Sequence, residues 1–245
     1  MLPSKVDGST PFKNRLLESP IVIRGDGLGA FPTLTAAIAK YGAAMEYLIE
    51  GELTEDLVIP DDLASLHIFG GIGAKLIGDI VADDITGDGA DFNLYITDLK
   101  IEGHIEFTAD DIYMNLWLDH VTIIETTTSI PAIAFDNTGF GNLILYAENG
   151  CYLQGHGGGI TLAGSGQTYI YLRHSRIYTT TAQGIILGDG ASLYGGGYIE
   201  HSTIQGQTDA ITSTSAVAVS AYLNLLVNGV HANVTLPVGG GNVEI

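Results

Sequence analysis

The sequence predicts an all-β fold, a right-handed parallel β-helix with a short capping α-helix near its N-terminus. Three observations predict it: an apolar pattern recurring about every 25 residues, 33 glycines to supply turns, and one amphipathic segment ahead of the repeats. With 245 residues, 46% of them hydrophobic, the chain suits one principal domain with a sizeable core.

The repeat is the strongest signal, because a fixed period of 20–50 residues marks a solenoid. Aligned on three apolar positions, the rows are Leu94, Ile96, Ile101; Leu116, Leu118, Ile123; Ile144, Tyr146, Cys151; Ile170, Leu172, Ile177; and Gly197, Ile199, Ile204. Successive rows lie 22, 28, 26 and 27 residues apart. A second column, Ile133, Ile160, Ile185 and Ile211, steps by 27, 25 and 26. Turn-forming segments follow it at AGSGQ (163–167), GDGAS (188–192) and STSA (213–216). Residues two apart share one face of a strand, so pairs such as Leu94 and Ile96 point inward. A single repeat is too short to bury that face, whereas stacked coils bury a continuous one. A leucine-rich repeat has a similar period, but its fixed Leu and Asn pattern is missing.

Along the chain, residues 1–28 precede the repeats and are expected to form a docking arm or tail, within which SPIVIRGDG (19–27) could be a strand. Residues 29–44 hold the capping helix. In GAFPTLTAAIAKYG (29–42), Leu34, Ala37, Ile38 and Tyr41 share one helical face; Thr33 or Thr35 can cap its start and Gly42 its end. Residues 45–245 form the β-helix, opened by the strand-like EYLIEGELTEDLVIP (46–60).

YIYLRHSRI (169–177) and GYIEHSTI (197–204) resemble the short-strand, polar-turn, short-strand coil of the pectate-lyase-like right-handed β-helix family. The resemblance covers about residues 29–240. It implies the fold, and a helix covering the open end of the stack, where unpaired strand edges would invite aggregation. It leaves function open, because sites are grafted onto this scaffold in many ways. Polysaccharide-lyase members use acidic and basic residues around Ca²⁺; that motif has no residue-by-residue match here, so no cofactor is expected.

Charge and cysteine content narrow the partners. The net charge of −19 argues against nucleic acid. Residues 1–45 carry +2, residues 46–125 carry −17 and the remainder −4, so a basic arm precedes an acidic body. No apolar run of about 20 residues is present to span a membrane as a helix. The stretch from Met1 to Gly8 has no apolar character of a secretion signal. The chain is therefore expected to stay where it is made, or to leave within an assembly or by lysis. The single Cys151 excludes an intrachain disulfide framework, and its column predicts a buried side chain.

Candidate functional residues lie on the outward face. Tyr95 points out, with Trp117, Leu145, Tyr171 and Tyr198 as its equivalents, followed along the strand by Thr97, Asp119, Ala147, Arg173 and Glu200. Aromatics beside charges suit a subunit interface or a glycan groove. Asp119 and Glu200 sit three coils apart, about 14 Å, too far for a glycosidase acid pair within one chain. The next column, Asp98, His120, Glu148, His174 and His201, reads as a polar ladder satisfying a bend; a linear ladder does not converge on a metal. DDITGDGAD (83–91) has the composition of a Ca²⁺ loop without a recognised ligand spacing, and His67, His104, His156 and His231 form no recognisable cluster.

Two function classes follow. The chain resembles the trimeric β-helix spikes, fibres and decoration proteins of bacteriophages, which implies a virion protein, structural or attachment in role. It would form a homotrimer and contact other virion proteins through its arm, and a cell-surface glycan is a further candidate partner. The alternative is a polysaccharide lyase or glycosidase, or a non-catalytic glycan-binding module, working beside Tyr95, Trp117, Tyr171 and Tyr198.

Overall fold

The computed structural model describes residues 20–44, 46–83, 91–109, 113–137, 142–164, 167–188, 192–193, 197–214 and 217–245. Most of the arm and of the acidic segment 83–91 fall outside the described residues.

The chain winds into a right-handed parallel β-solenoid of about seven turns, as the sequence predicts. Each coil contributes one strand to each of three sheets. In one coil these are Phe92–Thr97, Lys100–Glu102 and Ile105–Ala109; in the next, Tyr113–Asp119, Thr122–Ile124 and Pro131–Asn137. Strands of successive coils pair in parallel: Leu116 sits on Leu94, Ile123 on Ile101 and Ile133 on Ile105. The alternation of the sequence decides which side chains go inside. Leu94, Ile96, Leu116 and Leu118 are buried and the residues between them are not. The second predicted column is fully in register, since Ile133, Ile160, Ile185 and Ile211 pair in series. Larger rings fill the interior in the same way, with Phe92, Phe107 and Phe135 following one another at 6.1 and 5.6 Å.

The helix Leu34–Tyr41 lies over the first coils with Leu34, Ala37 and Ile38 buried. Thr33 is its N-cap, and its hydroxyl accepts the Ala36 N–H. Thr35, the other candidate cap, instead donates to Glu55, whose carboxylate also accepts the Leu34 and Thr35 N–H groups. Gly42 ends the helix with a positive φ of 59°. Tyr41 lies at the rim, 37% exposed. Ile21–Ile23 pairs with Tyr47–Ile49, so the arm's described end is the first rung of the solenoid.

One stretch departs from the predicted alignment. Leu145 and Ala147 pair with Leu116 and Leu118, and Leu153, not Cys151, follows Ile123. Ile144 and Tyr146 therefore face outward. The cause is one extra residue at the bend. Asp119-His120-Val121-Thr122-Ile123 becomes Glu148-Asn149-Gly150-Cys151-Tyr152-Leu153. Gly150, at φ 91°, takes a left-handed conformation that an L side chain rarely adopts. Matching Cys151 to Ile123 slides this strand by one residue, and a one-residue slip exchanges the two faces.

Candidate functional site

The corrected register completes a ladder on the outer face of the first sheet. His67, Tyr95, Trp117, Tyr146, Tyr171 and Tyr198 pair in series, so six rings occupy six consecutive rungs. Tyr146, not Leu145, is the member between Trp117 and Tyr171. Five rung steps span about 24 Å.

The rings stack rather than splay. His67 lies 4.3 Å from Tyr95 and Tyr95 5.8 Å from Trp117, within 17° of parallel. Trp117 and Tyr146 are 3.6 Å apart at 5°, and Tyr146 and Tyr171 are 4.6 Å apart at 7°. Tyr198 closes the ladder edge-on at 5.2 Å and 82°. Most ring faces are thus covered by neighbouring rings, and the ladder presents edges. Burial among the rings pushes the Tyr146 phenol up to about 12 and raises Tyr171 and Tyr198 above their ordinary value.

On one side the ladder is flanked by Ser65, Asn93, Asn115, Ile144 and Tyr169, a column without charge. Within it Asn115 donates to Asn93 at 3.0 Å. On the other side lie Phe69, Thr97, Asp119 and Glu148, then Arg173, Glu200 and Tyr222. Arg173 donates to Glu200 at 3.1 Å and lies 5.1 Å from the centroid of Tyr198. Glu148, not Ala147, is the neighbour of Asp119, so two carboxylates share adjacent rungs. Asp119 and Glu200 remain three rungs apart. Asp119 is held by Asn149, which donates to its Oδ1 at 2.8 Å, and by the His120 ring at 3.0 Å.

The polar bend column is Asp98, His120, Asn149, His174 and His201, with Asn149 in the place expected for Glu148. All five adopt left-handed φ angles between 47° and 57°. The column is thus a backbone requirement, a tight bend between the first two sheets. His174 and His201 stack at 5.2 Å. Just inside it, Leu99, Val121, Cys151, Ser175 and Ser202 are buried. Burial pushes the Cys151 thiol up to about 11, which makes it a packing residue and not a nucleophile.

One cluster escaped the sequence reading: Asp79, His104 and Glu125 converge at the corner between the second and third sheets. Its only sequence signal is the repeated Gly-Asp-Ile (78–80) and Gly-His-Ile (103–105), one coil apart. Glu125 lies 21 residues further on, so only the fold joins it to the others. No helix of the described residues is long and apolar enough to cross a membrane. No family model, curated protein or solved structure matches this chain.

Proposed function

We propose that the chain is a structural or attachment solenoid that assembles as a homotrimer through the aromatic face of its first sheet. Its setting is a virus particle, as in the phage spikes and decoration proteins that its coils resemble. The observation that carries this reading is the stacked ladder. A sugar ring needs an open aromatic face, and here the faces cover one another at 3.6 to 5.8 Å over most of the column. Ring edges beside an uncharged column match the composition of an interface core, rich in aromatics and depleted of charge. The occupants that fit are two further copies of the same face meeting around a three-fold axis, because the Arg173 and Glu200 pair at its border offers both signs of charge to the neighbouring copies.

The test is substitution of Trp117 and Tyr171 by Ala, read by light scattering and circular dichroism. Loss of the oligomer with an intact β spectrum supports the reading. An unchanged oligomer with loss of binding to a glycan array overturns it in favour of a groove.

A second reading, a glycosidase, is favoured by the adjacency of Asp119 and Glu148, since neighbouring rungs approach the separation of about 5 Å that a retaining pair needs. It requires polysaccharide cleavage by the wild type that Glu148→Gln abolishes.

A further inference from the structure

We infer that Asp79, His104 and Glu125 form a binding site for a divalent transition-metal ion of the Zn²⁺ class, clipping three consecutive coils together. Each residue offers one donor atom, and all three atoms lie within 4.8 Å of one another. Asp79 stands just before Ile80–Asp83, His104 just before Ile105–Ala109, and Glu125 just after Thr122–Ile124, so each belongs to a different coil. Glycine makes this convergence possible: a Cβ at Gly103 would strike the Gly78 carbonyl and Asp79 Oδ1.

The state of His104 points to the ligand. The residue is 9% exposed, and its Nδ1 is buried without a hydrogen-bond partner. Nδ1 nevertheless sits 2.9 Å from Asp79 Oδ1 and 3.7 Å from Glu125 Oε2. Metal bonds of about 2.1 Å to two donors at this separation place the second donor about 45° off the ring nitrogen's lone-pair axis. Close approach without hydrogen-bond geometry is what two ligands of one ion show.

The surroundings fit the same assignment. His104 Nε2 lies 3.5 Å from Glu106 Oε2, which can accept its N–H and so fix the tautomer in which Nδ1 is the bare donor, the carboxylate–histidine–metal arrangement. Asp79 is oriented by the His104 backbone N–H at 3.0 Å. Glu125 accepts the Thr127 N–H through Oε1, leaving Oε2 toward the ring. Glu125 is only 5% exposed, and burying a carboxylate without a counter-charge is costly. Among the described residues, no Lys or Arg forms an ion pair with Asp79, Glu106 or Glu125. The imidazole that coordinates a metal is neutral, so a divalent cation offsets two of the three carboxylate charges here. A nitrogen donor among oxygens favours Zn²⁺, Mn²⁺ or Fe²⁺ over Ca²⁺ and Mg²⁺.

The test is calorimetric titration of the chelator-treated full chain with Zn²⁺, with Ca²⁺ in parallel. The expected result is one Zn²⁺ per chain, a raised melting temperature on loading, and no saturable Ca²⁺ binding. Glu125→Gln and His104→Ala abolish the Zn²⁺ isotherm, and Glu106→Gln weakens it about 10- to 100-fold. His174→Ala with His201→Ala controls for adventitious binding at the exposed histidines and leaves the isotherm unchanged. No saturable Zn²⁺ binding by the folded wild type overturns the assignment, as does binding lost only in the His174 and His201 variant. Should His104→Ala fail to fold, Glu106→Gln with an intact spectrum and unaltered affinity also overturns it.

Discussion

At the scale of single residues, the backbone explains what side-chain chemistry alone left open. The polar column at the first bend reads in the sequence as a ladder that satisfies a bend, and the property its members share is a left-handed φ. Asp and Asn visit that region more readily than most residues, and His is enriched there too. Leu223 continues the bend at φ 54° and is 55% exposed. Leu223→Gly is accordingly expected to raise stability by about 1 kcal/mol in chemical denaturation, and Asn149→Val to lower it by about 1–2 kcal/mol. Tyr146 supplies a pH-dependent prediction. Its folded value, about 12, stands above the ordinary value of 10.0. The stability linked to its neutral form is present below pH 10 and is lost as pH rises through 12. Melting temperatures between pH 10 and 12 should therefore fall more steeply for the wild type than for Tyr146→Phe. Cys151, buried with its thiol near 11, should resist thiol reagents at pH 8 until the chain unfolds. Its burial was legible in the sequence; its column was not, because the inserted Gly150 is silent in a three-position apolar pattern.

At the scale of elements, the strands and the helix were read from periodicity, and their joints were not. The two-residue alternation in segments such as FNLYIT carries its own face assignment, so the buried columns of the first sheet were predictable coil by coil except at the insertion. The helix was equally legible from Leu34, Ala37 and Ile38. Its second cap was not, since Glu55 lies about 20 residues away and reaches the helix start only once the first coil has formed. A carboxylate on orphan N–H groups also meets the positive end of the helix dipole. Glu55→Ala should destabilise the chain by about 1–2 kcal/mol, whereas Glu55→Gln, which keeps an acceptor, should cost less. Thermal denaturation of the two variants side by side separates the charge from the hydrogen bonds. The Asp79–His104–Glu125 corner was hidden for the same reason: its members meet by stacking of coils, a register that the sequence states only approximately.

At the scale of the whole molecule, three sheets share one continuous apolar interior and differ in what they turn outward. The second sheet presents charged pairs such as Lys75 with Glu52 and Glu102, and Lys100 with Glu102. The first presents the aromatic ladder, with charge in one border column and at Glu46, which precedes His67 in the ladder's own column. An outward aromatic column of that length is uncommon on a monomer, even with its rings half-buried against one another, and the four aromatics predicted in five coils become five once Gly150 is placed, with His67 adding a sixth one coil earlier. Because Ile21–Ile23 is a rung, a truncation that tests the arm should stop before Pro20. The most direct measurement is the solution mass of the purified chain by light scattering after size exclusion, for the full chain and for one lacking residues 1–19. Assembly through the first sheet predicts a mass near three times 25.8 kDa for both. A monomer of 25.8 kDa for the full chain contradicts it.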